Sequence, residues 1–204
     1  MDVNTNYLNF KKFLTAYVKR DGLEDFISWL DTTDFNIAPA STKYHLACEG
    51  GLVQHSINVF YRLIRLINNE FGSEQEIYSK DTIALVALLH DISKADFYTI
   101  EYRNRKNADG EWEKVPYFAV RSEDDRYIMG NHMENSLFKL CEFFDLTYEE
   151  KLAILHHMGG NDICDNSMSM ANTSAAFKKS KLAVLLHLAD MQATYIDEVE
   201  STNE

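Results

Sequence analysis

Residues 82–95 read TIALVALLHDISKA, and this stretch decides the fold. From Ile83 to Leu89 it is unbroken and apolar. It is far shorter than the roughly 20 residues that span a bilayer. As a helix it is apolar almost all round, so it belongs at the centre of a helical body. Asp81 reads as its N-cap. His90-Asp91 then falls near the helix end. A buried carboxylate without a partner is costly. A metal ion beside Asp91 offsets that cost directly; a His-Asp pair capping a helix end is the bland alternative.

Working outward, helical spacing recurs on both sides. Residues 5–19 place Leu8, Phe10, Phe13, Leu14 and Tyr17 on one stripe, and 23–31 form a second short helix with Phe26, Ile27 and Leu30 inward. The stretch 32–43 is a loop punctuated by Pro39. Gly50-Gly51 opens a long helix to about Glu70, whose buried face carries Val53, Ile57, Phe60, Ile64 and Ile67. Residues 98–120 break the pattern. Aromatic and β-branched residues flank Asp109-Gly110, which predicts a two-stranded insertion with Pro116 on an edge strand. Helices resume at about 132–144 and after Thr147, where Thr147 and Glu150 have capping-box spacing. Residues 159–179 are polar and read as a loop, and a last helix covers about 180–198. The expected fold is mainly α: a helical bundle with a small β-hairpin insertion around 98–120.

Composition narrows the function. The chain has 204 residues, 46% of them hydrophobic, with 20 basic and 32 acidic residues and a net charge of −12. The apolar fraction is that of a globular domain. The acidic balance argues against general nucleic-acid binding, which needs a basic surface. Cys48, Cys141 and Cys164 are isolated thiols, which fits a reducing, cytoplasmic setting, and the N-terminus carries no secretory signal. There is no G-x-S-x-G, Walker loop, G-x-G-x-x-G or H-E-x-x-H.

The remaining chemistry lies in the seven histidines, His45, His55, His90, His132, His156, His157 and His187, and in Asp190, which sits on another apolar helix. Several of these fall on different predicted helices, so a bundle can converge them on one point. Imidazoles with a shared carboxylate suit a borderline divalent metal. The order His55, His90-Asp91, Asp190 resembles that of the HD superfamily of metal-dependent phosphohydrolases. EGGLVQHSINV (49–59) is similar to the segment with that family's first metal histidine, ALLHDISKAD (87–96) to its defining motif, and LLHLADMQAT (185–194) to the segment with its last aspartate. His132 and the His156-His157 pair resemble the branch with two extra histidines and a dinuclear site.

The resemblance implies an N-terminal helical extension (1–40) and a catalytic domain (41–204). It implies two divalent metal ions, drawn from Mn, Fe, Mg, Ni or Zn. His55, His90, Asp91 and Asp190 would hold the first; Asp91, His132 and His157 the second. Either member of the 156–157 pair could fill that place; His157 is preferred because it directly precedes the Met-Gly-Gly break, with His156 then a substrate contact or an outer partner of the ligands. The implied reaction is hydrolysis of a nucleotide, short oligonucleotide or other small phosphoester by a metal-activated water, at a site with no membrane partner. Lys94, about one turn beyond Asp91, would clamp a phosphate or else be a solvated helix-end lysine. His45 either touches substrate or packs on the core. Lys43, Arg103, Arg105 and Lys106 would supply positive charge at the mouth, with the hairpin as a lid, or form a solvated basic turn. Tyr98, Tyr102, Trp112 and Tyr117 would stack on a base or only pack the sheet. His187 reads mainly as a core histidine. The resemblance also reaches mixed-valent di-iron oxygenases, and a nucleotide-binding sensor without turnover is a third reading.

Overall fold

The computed structural model describes residues 2–72, 77–160 and 167–199. Among the described residues the chain is mainly helical with one two-stranded antiparallel sheet, as the sequence predicts. The helices are α1 (Val3–Tyr17), α2 (Leu23–Leu30), α3 (Gly51–Phe71), α4 (Lys80–Leu89), α5 (His132–Cys141), α6 (Tyr148–Leu155), α7 (Ser167–Lys179) and α8 (Lys181–Gln192). A π-helical turn at Ala193–Asp197 extends α8.

The core forms around α4. Every residue from Ile83 to Leu89 is buried, because its apolar surface is met by α1, α3 and α6. α3 in turn packs on α4 and α8. Phe10 and Leu14 of α1 and Phe26 and Leu30 of α2 lie in the same hydrophobic cluster as α3, α4 and α8. The first helices are also tied down by charge. The Arg20 guanidinium bridges Asp81 on α4 and Glu150 on α6, at 2.6 and 2.5 Å.

That bridge explains one correction. Asp81 is not the N-cap of α4; Ser79 is, with its hydroxyl accepting from the Thr82 amide at 3.0 Å. Asp81 sits in the first turn, and its carboxylate accepts from the Lys19 amide and from Arg20 instead.

The double glycine does what its position suggests. Gly50 has φ +74°, and a Cβ on Gly51 would lie 2.1 Å from the Leu46 carbonyl oxygen. Only glycines admit this tight entry, which starts α3 one turn ahead of His55.

The hairpin pairs β1 (Tyr98–Lys106) with β2 (Trp112–Val120), from Tyr98 opposite Val120 to Lys106 opposite Trp112. Pro116 stands opposite Tyr102. In a two-stranded sheet both strands are edges, so proline is tolerated there. The turn is wider than a two-residue one. Asn107 Oδ1 accepts from the amides of Asp109 and Glu111, and Gly110 takes φ +82°.

Thr147 and Glu150 form the expected capping box at α6. The expected loop at 159–179 is corrected over its second half: 167–179 is α7, while 161–166, with Cys164, lie outside the described residues. Thr173 and Ala176, three apart, are buried and Phe177 packs against the core. Tertiary packing of that stripe outweighs weak local propensity. Cys48 and Cys141 are free and exposed.

Candidate metal centre

α4 ends at Leu89, and His90 is its C-cap. Asp91 leaves helical geometry with φ −105° and ψ 21°, and a short 3-10 turn follows at Ile92–Lys94. The break lets His90 and Asp91 aim into one space rather than diverge by the ~100° of consecutive helical residues. His90 and Asp91 are 0% and 3% exposed, so both are within the core.

Four other segments meet them there. α3 brings His55, whose Nε2 lies 3.7 Å from Asp91 Oδ2 and 3.2 Å from Asp190 Oδ1 of α8. His90 Nε2 is 3.5 Å from Asp91 Oδ2. The start of α5 brings His132 Nε2 to 3.9 Å from Asp91 Oδ1. The turn after α6 brings His157 Nε2 to 3.5 Å from the same oxygen. Lys94 Nζ is 2.6 Å from Asp91 Oδ2.

The tautomers follow from outer partners. His90 Nδ1–H donates to the Ala87 carbonyl at 2.9 Å, and His157 Nδ1–H donates to the Ile154 carbonyl at 2.7 Å. A carbonyl can only accept, so in the neutral ring the lone pair lies on Nε2, the nitrogen turned toward Asp91. His55 Nδ1 faces both Glu198 carboxylate oxygens at 3.0 Å. Glu198 also accepts from Asn58 Nδ2 at 2.8 Å and pairs with His45 Nδ1 at 2.6 Å. His187 Nδ1–H donates to the His157 carbonyl at 2.6 Å, which pins the turn carrying His157. That approach needs Gly159, since a Cβ there would lie 2.6 Å from the His187 ring, and Gly159 has φ +61°.

Charge is held tightly. Burial pushes the His90 imidazole down to about 4, so it is neutral at pH 7. Burial works against ionised Asp91, but Lys94 and His90 hold its carboxyl well below the usual range. Asp190 is likewise lowered, its burial outweighed by His55. Burial opposes a charged His55, yet Asp190 and Glu198 raise its ring to about 10.

At the cluster, Nε2 of His90, Oδ1 of Asp91 and Nε2 of His157 are buried with no hydrogen-bond partner among the described residues. Such orphans carry a desolvation cost of about 1–3 kcal/mol each. Two imidazole lone pairs and a carboxylate oxygen turned on one space are the donor set a borderline divalent cation takes. His55-His90-Asp91, His90-His157-Asp190 and Asp91-His132-His157 each place their ligand atoms within 4.8 Å of one another, so these groups can hold a metal ion. A fourth such group is His45-His55-Glu198.

The other expected residues divide. His45, Lys94 and Tyr98 line a cavity of about 630 Å³ that opens over the cluster, together with Asp91, Asp190 and Glu198. Lys43, His156 and Arg103 are not among its lining residues. His156 Nδ1 is engaged with Thr173 Oγ1 at 3.1 Å, and burial with the neighbouring His157 lowers its pKa. The Arg103 guanidinium lies 5.4 Å from the centre of the Tyr117 ring, out along the exposed hairpin, and Lys106 stacks on Trp112. Only the hairpin's base, Tyr98 and Val120, reaches the cavity. Sequence reasoning missed Glu198. It sits past a π-helical turn, where ordinary helical spacing no longer says which way a side chain points.

The class of site is thus a buried imidazole–carboxylate cluster at the floor of an open cavity. Over 170 residues the chain is 27% identical to the dihydroneopterin 2′,3′-cyclic phosphate phosphodiesterase of Methanocaldococcus jannaschii, a match covering 79% of this chain and 53% of that protein. The chain spans about half the length of this relative. No family model matches the chain, and no solved structure matches it significantly.

Proposed function

We propose that this chain is a metal-dependent phosphohydrolase acting on a small phosphoester, and that residues 41–204 carry the catalytic unit with 1–40 as its buttress. One observation carries the reading. Asp91 is a buried carboxylate with one oxygen paired to Lys94, while the other, without a hydrogen-bond partner among the described residues, faces the His132 and His157 imidazoles. A carboxylate so placed would suit a divalent cation held together with those imidazoles.

In this reading His55, His90, Asp91 and Asp190 would hold one ion, and Asp91, His132 and His157 would hold a second. When bound, such a pair lowers the pKa of a water toward ~7 and offsets charge on the phosphoryl oxygens. The chain's own residues do the rest. Ala87 and Ile154 fix the His90 and His157 tautomers. Lys94 steadies the Asp91 charge and lies in the cavity within reach of a phosphoryl oxygen. His45, held at Nδ1 by Glu198, keeps Nε2 for the oxygen that leaves phosphorus. The activity printed for the archaeal relative, a cyclic phosphate phosphodiesterase, supports phosphoester hydrolysis. A small nucleotide-like substrate and a cytoplasmic setting complete the proposal.

The test is elemental analysis of protein purified without added metal, followed by turnover of a phosphoester panel with Mn²⁺. The expected result is hydrolysis that Asp91→Ala abolishes. A metal-loaded protein that consumes oxygen and releases no phosphate or phosphomonoester sinks the reading.

A further inference from the structure

The two faces of the hairpin differ in kind. Alternate residues of a strand share a face. On one face the cross-strand pairs include Ile100–Phe118 and Tyr102–Pro116, with Lys106–Trp112 at the tip. At the base of the same face stand Tyr98 and Val120, which line the cavity. The opposite face is finished for water: Tyr117 Oη–H donates to Glu101 at 2.6 Å, Arg105 pairs with Glu113 at 3.1 Å, and the Arg103 guanidinium lies 5.4 Å from the Tyr117 ring centre. The first face is apolar yet open, with Ile100, Tyr102 and Trp112 57%, 66% and 70% exposed. A two-stranded hairpin is marginal by itself, and a contiguous apolar strip on a soluble chain marks a contact surface.

Charge and area say what covers it. The charged side chains on this face are Lys106 and Lys114, both in its outer half, while Glu123, Asp124 and Asp125 stand exposed three to five residues past Val120 at its base. A strip with a basic tip and an acidic base complements a second copy of itself laid in the opposite direction. Residues 98–120 hold four basic and four acidic residues, so two hairpins meet without net repulsion although the chain carries −12. An anionic lipid surface would face the acidic triplet with nothing to offset it. A wholly exposed aromatic side chain offers about 150–250 Å², so Ile100, Tyr102, Trp112 and Val120 with the stems around them present roughly 600 Å² per copy. Two copies would bury about 1,200 Å², the lower bound for a specific interface.

We propose that this chain forms a dimer by packing these hairpin faces together, antiparallel, about a two-fold axis near Tyr102 and Pro116. Such a contact is isologous. It brings Lys106 and Trp112 of each copy to the Tyr98–Val120 end of the other, beside the mouth of its cavity. The contact does not depend on what the cavity turns over, so its failure leaves the hydrolase reading untouched.

The test is sedimentation velocity of the full chain over a range of micromolar concentrations, joined to face-specific cross-linking. A dimer is expected. Tyr102→Lys and Ile100→Lys should each raise its dissociation constant about tenfold or more, with the far-ultraviolet circular dichroism unchanged because both side chains are exposed. Lys106→Glu combined with Lys114→Glu should weaken it as well. On a background of Cys48→Ser, Cys141→Ser and Cys164→Ser, Tyr102→Cys chains should couple through a short bismaleimide, and Glu101→Cys chains, altered on the opposite face, should not. A monomer at every concentration, a dimer indifferent to both single lysine substitutions, or equal coupling at 101 and 102 overturns the proposal. A monomer that binds anionic vesicles overturns it in favour of a lipid surface.

Discussion

Glu150 is the most exacting place to test the physics of this fold. Its carboxylate is fully buried and accepts four hydrogen bonds: from Arg20 Nη1 and Nη2 at 2.9 and 2.5 Å, Thr82 Oγ1 at 2.8 Å and the Thr147 amide at 2.9 Å. Burial disfavours its charge, but Arg20, the Thr147 amide and Thr82 overcome it and lower the pKa from 4.5 to about 2. At 1.36 kcal/mol per unit, that depression is worth about 3 kcal/mol at neutral pH. Breaking a buried ion pair on one side costs about 3–5 kcal/mol by a separate route. Glu150→Gln should therefore destabilise by about 3 kcal/mol, or roughly 6–12 °C in Tm for a chain of this size. The pH dependence gives a second handle. The folded pKa lies below the unfolded one, so the unfolded state binds more protons in that window. The stabilisation is fully present above 4.5 and is lost as pH falls through 2. Urea titrations of both proteins at pH 7, 5, 4 and 3 should show a gap that is constant at the first two values and closes below them. A gap under 1 kcal/mol at pH 7, or one that stays fixed down to pH 3, refutes the assignment.

Three further outcomes are expected at the cluster. Mn²⁺ at a hundred times its Kd should stabilise the protein by about 2.7 kcal/mol, read as a rise in melting temperature that Asp91→Asn removes; an identical rise in the variant speaks against Asp91 as a ligand. Glu198→Gln should lower metal affinity about 10–100-fold in competition with a chelating dye, because His55 loses the carboxylate that fixes its ring; unchanged affinity means Glu198 only packs. Gly159→Ala should cost about 1–3 kcal/mol, measured by denaturant unfolding, since it forces both a left-handed backbone and a clash with His187.

Much of this was legible in the sequence, for definable reasons. α4 could be placed because an all-round apolar helix has one location, the centre. The hairpin could be placed because Gly110 and its flanking β-formers admit few alternatives. His55, His90, Asp91, His132, His157 and Asp190 stand out as side chains that repay a central position only with a partner, and the fold brings them together. Besides Glu198, three things were not legible. Ser79 and Asp81 both suit a helix start, and only the long-range pull of Arg20 on Asp81 separates them. α7 forms because Thr173, Ala176 and Phe177 find a surface, which local propensity cannot announce. Arg103 is an ordinary surface cation in the chain, and its distance from the cavity depends on how far the hairpin projects, while Lys43 turns to solvent between Thr42 and Tyr44, which do line the cavity.

The order in which the cluster's parts occur along the chain has a consequence for how it is made. A ribosome delivers the imidazoles of His55, His90, His132 and His157 before Asp190, and Glu198, which steadies the His55 ring, comes after that. A nascent chain therefore presents four imidazoles and Asp91 well ahead of Asp190 and Glu198, and α8 with the turn that follows it is what joins the two sets. The cluster is accordingly complete only once α8 has docked, however early the first histidine appears.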